Sequence, residues 1–295
     1  MVGSYRRNKK IITLFLLPAL LIYGLFLIVP TISGVLLSFY NWAGYPGAPF
    51  QFQGLKNFAT VVNYSPFWQS IRNILWWIVL TLVTQIPIGF LLANLFSSRF
   101  SGFRVFKAIV FLPQVISATV IGLLWYFVLR PDGVLNTTLT TFGAAALGRD
   151  WLVNPGTAMT SVILVNTWIG IGFHMTLFFA AISSIPDSIL DSCKLDGITG
   201  ARKLFRITVP LTWETLRVCL IIAITQSLRA FDLVFVMTEG GPNGLTDIPA
   251  TLLYRESFRF QRFGVGSSIG VLILLISLIF TLISLRLLRR ETVEY

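Results

Sequence analysis

Residues 211–236, LTWETLRVCLIIAITQSLRAFDLVFV, decide how many times this chain crosses a membrane. Glu214, Arg217, Arg229 and Asp232 leave only 218–228 free of charge, too little for a clear span by hydropathy alone. The uncharged runs 11–55, 73–98, 108–129, 151–186 and 263–285 are less ambiguous. They place spans at 11–39, 74–96, 108–129, 158–182 and 264–285, each long enough for roughly 30 Å of hydrocarbon. Five spans would put Arg286, Arg289 and Arg290 on the opposite side from Arg6, Arg7, Lys9 and Lys10, against the retention of basic residues in the cytoplasm. Reading 211–236 as a sixth span removes the conflict.

Composition points the same way. The chain has 295 residues, 55% of them hydrophobic, and a mean hydropathy of +0.78. Only 12% are charged, against about 25% in soluble domains, which excludes an ordinary water-soluble fold. The net charge of +11 fits topology better than nucleic acid, because no basic run is long enough to track phosphates. With both termini inside, the cytoplasmic segments hold the terminal basic residues together with Arg99, Arg104, Lys107, Lys194, Arg202, Lys203, Arg206 and Arg217. Arg255, Arg259 and Arg262 are the main exceptions and are expected in a folded outer segment. The start reads as a retained first span, since its apolar run is too long for a signal peptide and lacks a small-x-small cleavage site. Cys193, Cys219 and the lone His174 provide neither a disulfide framework nor a metal cluster.

Several features carry more than one reading. Gly44, Pro46, Gly47 and Pro49 predict turns. Leu55, Phe58 and Val62 then predict a short helix on the membrane surface. Pro87 and Pro113 fall inside spans two and three, where they kink a helix routinely or serve a gate. In span five, Arg229 and Asp232 are close enough on a helix to form a buried polar pair. His174 is either a proton carrier or a hydrogen-bonding contact between helices. Trp76, Trp77, Trp125 and Trp168 read first as interfacial anchors and packing.

The segment joining spans four and five, 185–211, reads IPDSILDSCKLDGITGARKLFRITVPL. Ser184 can cap, Pro186 can start a helix, and Asp187 suits its positive end. Ile189, Leu190, Cys193 and Gly197 share one face. Gly197 and Gly200 allow a turn into a second helix over 201–207, and Pro210 restarts the chain into span five. Such a unit could dock into another protein or lie among lipid headgroups.

This run resembles the signature loop of permease subunits in binding-protein-dependent ABC importers: Glu-Ala-Ala, three residues, Gly, then Ile-x-x-Pro. Asp191, Ser192, Cys193, Gly197 and Ile207 to Pro210 stand at the matching positions, and Asp196 fits the family's Asp-Gly pair. Asp191 replaces the usual Glu, and Ser192 and Cys193 replace alanines. Two further stretches are similar to the larger permease of the maltose-type carbohydrate branch. They are Phe52-Gln53-Gly54-Leu55-Lys56-Asn57-Phe58 and Thr238-Glu239-Gly240-Gly241-Pro242 followed by Tyr254-Arg255 and Phe258.

The resemblance implies an all-α, six-span type I ABC importer permease that translocates a sugar or oligosaccharide by alternating access. It implies a cytoplasmic tail at 1–10, a first transmembrane helix at 11–40 and an external segment at 41–67. A transmembrane core at 68–290 with a coupling loop at 184–211 follows, then a C-terminal tail at 291–295. Implied partners are a second homologous permease, two cytoplasmic ATPase subunits holding ATP and Mg, and an extracytoplasmic solute-binding protein, at a bacterial inner membrane. Asp191, Ser192, Cys193, Asp196 and Gly197 would couple to the ATPase. Gly170, Phe173, Gln226, Ser227 and Ala230 would line the sugar path. Independently of the family, the chain has no G-x-x-x-x-G-K-[ST] phosphate loop and no catalytic pair, so no cofactor is expected in this chain. An ABC permease for a phosphorylated polyol or other polar solute, and a self-contained ion-coupled carrier using His174 and Asp232, remain alternatives.

Overall fold

The computed structural model describes residues 9–98 and 100–287. The terminal tails, with Arg6, Arg7, Arg289 and Arg290, and the loop residue Arg99 lie outside the described residues. In chain order the helices are α1 (Lys9–Tyr23), α2 (Val29–Leu37), α3 (Lys56–Val62), α4 (Ser65–Ser97), α5 (Phe103–Val115), α6 (Ala118–Leu129), α7 (Val134–Thr141) and α8 (Ala158–Ser183). They continue with α9 (Asp187–Leu195), α10 (Gly200–Lys203), α11 (Val209–Leu211), α12 (Trp213–Leu228), α13 (Asp232–Met237), α14 (Pro249–Tyr254) and α15 (Phe263–Leu287). Wider π turns at Gly24–Ile28, Leu204–Thr208 and Arg255–Arg259 link α1 to α2, α10 to α11, and extend α14. Five helical stretches are long and apolar enough to cross a membrane, and a sixth appears if Gly200–Leu211 and Trp213–Leu228, bent by 76°, form one span.

The chain divides into two compact units. One holds the residues through Tyr64 together with Leu253–Leu274. In it, a two-residue hairpin pairs Tyr40 with Phe52 and Asn41 with Gln51. Buried Asn57 donates to the Ser38 and Tyr40 carbonyls at 2.9 Å each, tying α3 to the end of the first span. The buried face of α3 is therefore Asn57 and Val61, whereas Leu55 and Val62 are exposed. Phe58, the third apolar residue of the pattern, is half-buried and packs on Phe39 with ring centroids 5.6 Å apart; a pattern that counts apolar residues misses only the asparagine needed as a donor. Arg255 and Arg259 do sit in folded structure, a helical turn that extends α14. Arg262 lies in ion-pair contact with fully buried Glu256, which also accepts from the Tyr64 hydroxyl at 3.0 Å. Burial, then the Glu256 charge, raises the Tyr64 phenol above its ordinary pKa, so it remains the donor.

The second unit, Ser65–Leu252 with the residues from Leu275 onward, is organised on the pair α4 and α8. Ile74, Trp77, Ile78, Val162 and Ile163 pack at one end with Leu233, Val234 and Met237. Ile86, Phe90, Ala93, Met175, Phe178 and Ile182 pack at the other with Cys219 and Ala223. Between these apolar layers runs a polar seam. The Thr84 and Thr167 hydroxyls meet at 3.0 Å, and Gln85 donates to the Asn166 carbonyl at 2.9 Å. Lipid offers no alternative partner, so the seam fixes the register of α4 on α8.

Two spans differ from the sequence expectation. Span three is broken outright, because Ile116 and Ser117 adopt extended backbone between α5 and α6. Pro113 lies inside α5, so the interruption falls three residues beyond the proline. Span five ends at Leu228, and the chain resumes as the six-residue α13 from Asp232.

Candidate coupling site and translocation path

The loop after α8 begins with Ser184, which terminates α8; its amide donates to the Ala180 and Ala181 carbonyls and its hydroxyl to Ala181 at 2.8 Å. Ser184 is thus a C-cap, and Pro186, in extended backbone, precedes α9 in the N-cap position. Asp187 in the first turn and Lys194 in the last oppose the helix dipole at both ends. At the C-terminus, the Ile198 amide donates to Cys193 at 2.8 Å and the Gly197 amide to Lys194 at 3.2 Å. This is the Schellman pattern, with Gly197 at φ +65°. A Cβ at Gly197 would meet open space, so left-handed backbone alone calls for glycine there.

Cys193 is buried, and with it α9 is locked so that Asp191, Ser192, Lys194, Leu195 and Asp196 face outward. Asp191 and Lys194 pair at 2.8 Å on the exposed side. The hydrogen bond to Asp191, then its charge, raises the Lys194 ammonium above its ordinary pKa, so the face presents a matched plus and minus. Leu195 is 89% exposed; sequence reasoning passed over it because its face depends on the anchoring of Cys193. Behind α9 lies a polar cleft of about 750 Å³ lined by Asn94, Ser97, Ser183, Asp187, Lys203 and Thr208.

The residues expected along a sugar path are not brought together in one lining. Gly170 is buried, and a Cβ there would lie 2.0 Å from the Gln85 amide nitrogen. Its space belongs to Gln85 of α4, a partner 85 positions earlier that local sequence cannot reveal. Phe173 is half-buried beside His174, ring centroids 5.5 Å apart. Ser227 is buried with its hydroxyl donating to the Ala223 carbonyl of its own helix at 2.7 Å, while Gln226 is exposed and Ala230 lies past the end of α12. The expected buried pair of Arg229 and Asp232 is corrected. Arg229 caps α12, Asp232 opens α13, and both are exposed in the chain, because the helix break turns the backbone between them. His174 is fully buried with neither ring nitrogen hydrogen-bonded among the described residues, so the expected interhelical hydrogen bond is absent there.

The outer signature loop is of another kind. Gly240 has φ +83°, and a Cβ there would sit 2.0 Å from an Asp247 carboxylate oxygen. Thr246 donates to Gly241 at 2.9 Å and to the Thr238 hydroxyl at 2.7 Å. Asn73 of α4 donates to the Leu245 and Asp247 carbonyls at 3.0 and 2.7 Å, and Gln69 to Gly244 at 3.0 Å.

Five helices long and apolar enough to cross a membrane, or six if the bent pair is one span, with the short amphipathic α9 between α8 and α12, define a polytopic membrane protein. Residues 85–293 match the family of binding-protein-dependent transport system inner membrane components, and the chain belongs to it. It is 34% identical to the probable ABC transporter permease protein YurN of Bacillus subtilis, over 95% of this chain and 96% of that protein. It is 28% identical to a probable starch degradation products transport system permease protein, AmyD, of Thermoanaerobacterium thermosulfurigenes, over 95% of this chain and 94% of that one. Among solved structures, a chain of a bacterial ABC transporter involved in import of the acidic polysaccharide alginate superposes with a TM-score of 0.85 at 26% identity, covering 98% of this chain and 99% of that one. The protein is therefore a membrane permease subunit rather than the ATPase of its transporter.

Proposed function

We propose that this chain is the translocating subunit of an ATP-driven importer of a sugar or oligosaccharide. The observation that carries the reading is α9: closed by a Schellman turn at its C-terminus, anchored by Cys193, and presenting Asp191, Ser192 and Leu195 outward. Support for the solute class comes from the starch-product relative and from the alginate transporter, a second structure of which holds an alginate-bound periplasmic protein. Both termini and α9 lie in the cytoplasm, a second permease of similar fold completes the pathway, and two ATPase subunits bind ATP and Mg. A binding protein delivers the solute from outside. Closure of the ATPases pushes α9; the Schellman turn at Gly197 transmits that displacement to α10 and, through the 76° bend, to α12. Because α4 and α8 are held in register by the Thr84, Thr167 and Gln85 seam, they move as one piece. The solute path runs on the polar sides of α8 and α12, with Phe173 and Gln226 as its candidate contacts.

Uptake in proteoliposomes holding the purified complex tests this. Accumulation of a maltodextrin or other oligosaccharide should require internal ATP and the binding protein. Uptake driven by a proton gradient with ATP absent would instead support the ion-coupled carrier.

A further inference from the structure

Between α6 and the outer half of α8 lies a slot of about 450 Å³ that neither the coupling site nor the solute path uses. Its walls include Trp125 and Leu129 from α6, Trp151 from the connecting loop, and Thr160, Leu164 and Trp168 from α8, and no charged residue lines it. Trp125 and Trp168 meet edge to face with centroids 5.8 Å apart. Two of the three lining hydroxyls are already committed, since Thr157 and Ser161 both donate to the Trp151 carbonyl, at 3.1 and 3.3 Å. An apolar slot of this size holds water poorly, and its flanks, with Leu164 52% and Trp168 42% exposed, lie on segments that cross the hydrocarbon. A sugar, with hydroxyls on every edge, would find few free partners here.

One wall residue of the slot, Trp151, carries a cation on its ring. The Arg149 guanidinium stacks over the Trp151 ring, 5.2 Å from its centroid, so the wall that closes the slot also positions a positive charge. Of its five N–H donors, Arg149 commits one to the Leu147 carbonyl at 3.3 Å, and it has no ion pair among the described residues. The neighbouring Arg130, by contrast, is neutralised by Asp132 at 3.1 Å. Trp151 itself is held in place by Asn136, which accepts from its indole N–H at 2.9 Å. On the opposite wall the Trp125 indole nitrogen is buried without a hydrogen-bond partner among the described residues. Trp125, Trp151 and Trp168 give the slot broad aromatic walls.

From this juxtaposition we infer that the slot binds an outer-leaflet phospholipid, with an acyl chain between Trp125, Leu164 and Trp168 and the phosphate on Arg149. The outer placement follows the orientation proposed above; the lipid class does not, because an apolar slot under one unpaired cation selects an anionic amphiphile on either side. The alternative cover, the second permease subunit, would need a side chain that places an acid at Arg149 and an apolar plug in the slot.

The assembled transporter, exposed to mixed micelles of phosphatidylglycerol and diacylglycerol with identical acyl chains, is expected to retain phosphatidylglycerol in native mass spectra. Arg149→Ala should lower that retention about fivefold, the loss of one cation near a headgroup, and leave diacylglycerol unchanged. Thr160→Trp, which fills the slot, should lower both. Equal retention of phosphatidylglycerol by the unsubstituted complex and both variants overturns the inference. A Thr160→Cys complex carrying a short photoreactive label gives a second reading with little disturbance to folding. An adduct on an acyl chain supports the lipid; an adduct on another subunit, or none, overturns it.

Discussion

The two signature loops of this chain look equivalent as sequence and are opposites as physics. The outer loop from Thr238 to Asp247 is folded inward. Thr246 and Asp247 are buried, Asn73 and Gln69 of α4 hold its carbonyls, and Gly240 is confined both by φ and by Asp247. The inner loop is folded outward. Its hydrogen bonds are local, its glycine at 197 faces open space, and its α9 helix shows solvent an acid, a base and a leucine. A motif therefore marks either a piece of scaffold or a contact surface, and only burial tells them apart. Changes in the outer loop should register as stability, and changes in the inner loop as coupling.

The largest effect is expected at Gly240→Ala, which combines left-handed strain with a clash against Asp247 and should cost about 3 kcal/mol. It should be visible as a lowered unfolding midpoint of the purified complex. Asn73→Ala should follow at about 2 kcal/mol, because two part-buried carbonyls lose their donor, again read in thermal unfolding. Leu195→Ser should leave the unfolding midpoint of the permease in place but weaken its hold on the ATPase by about 1–2 kcal/mol, five- to thirtyfold in affinity, as measured by co-purification titration. A Cβ at Gly197 meets open space, so the strain of Gly197→Ala, about 1–2 kcal/mol, should fall on the turn alone. ATP hydrolysis should persist while solute accumulation drops. The smallest change is expected for Asp191→Asn, whose exposed pair with Lys194 is worth under about 1 kcal/mol to folding. A stability loss at Leu195 as large as that at Gly240 would erase the distinction between the loops.

Much of this was legible in the amino-acid sequence. Long uncharged runs announce spans because hydrocarbon excludes charge over a fixed thickness. The 185–211 loop announces its helix, turn and second helix through Pro186, Gly197 and Pro210, all of them local signals. What stayed hidden depends on distant partners. Gly170 reads as part of a sugar-facing line until Gln85 is seen filling its space. Arg229 and Asp232 have helical spacing, yet the helix stops between them. The break at Ile116 and Ser117 was signalled only obliquely by Pro113, since a proline disrupts bonding to the turn before it and says little about residues after it. Leu195 faces outward because Cys193 packs inward, a phase that composition does not set.

The central claim is that the outward face of α9 is gripped by an ATPase. Maleimide labelling of a Leu195→Cys chain in inside-out vesicles tests it most directly, since the native Cys193 and Cys219 are buried. Fast labelling of the permease without its ATPase and strong protection once the ATPase is bound is the predicted result. Equal labelling in a complex that transports solute at the normal rate would contradict it.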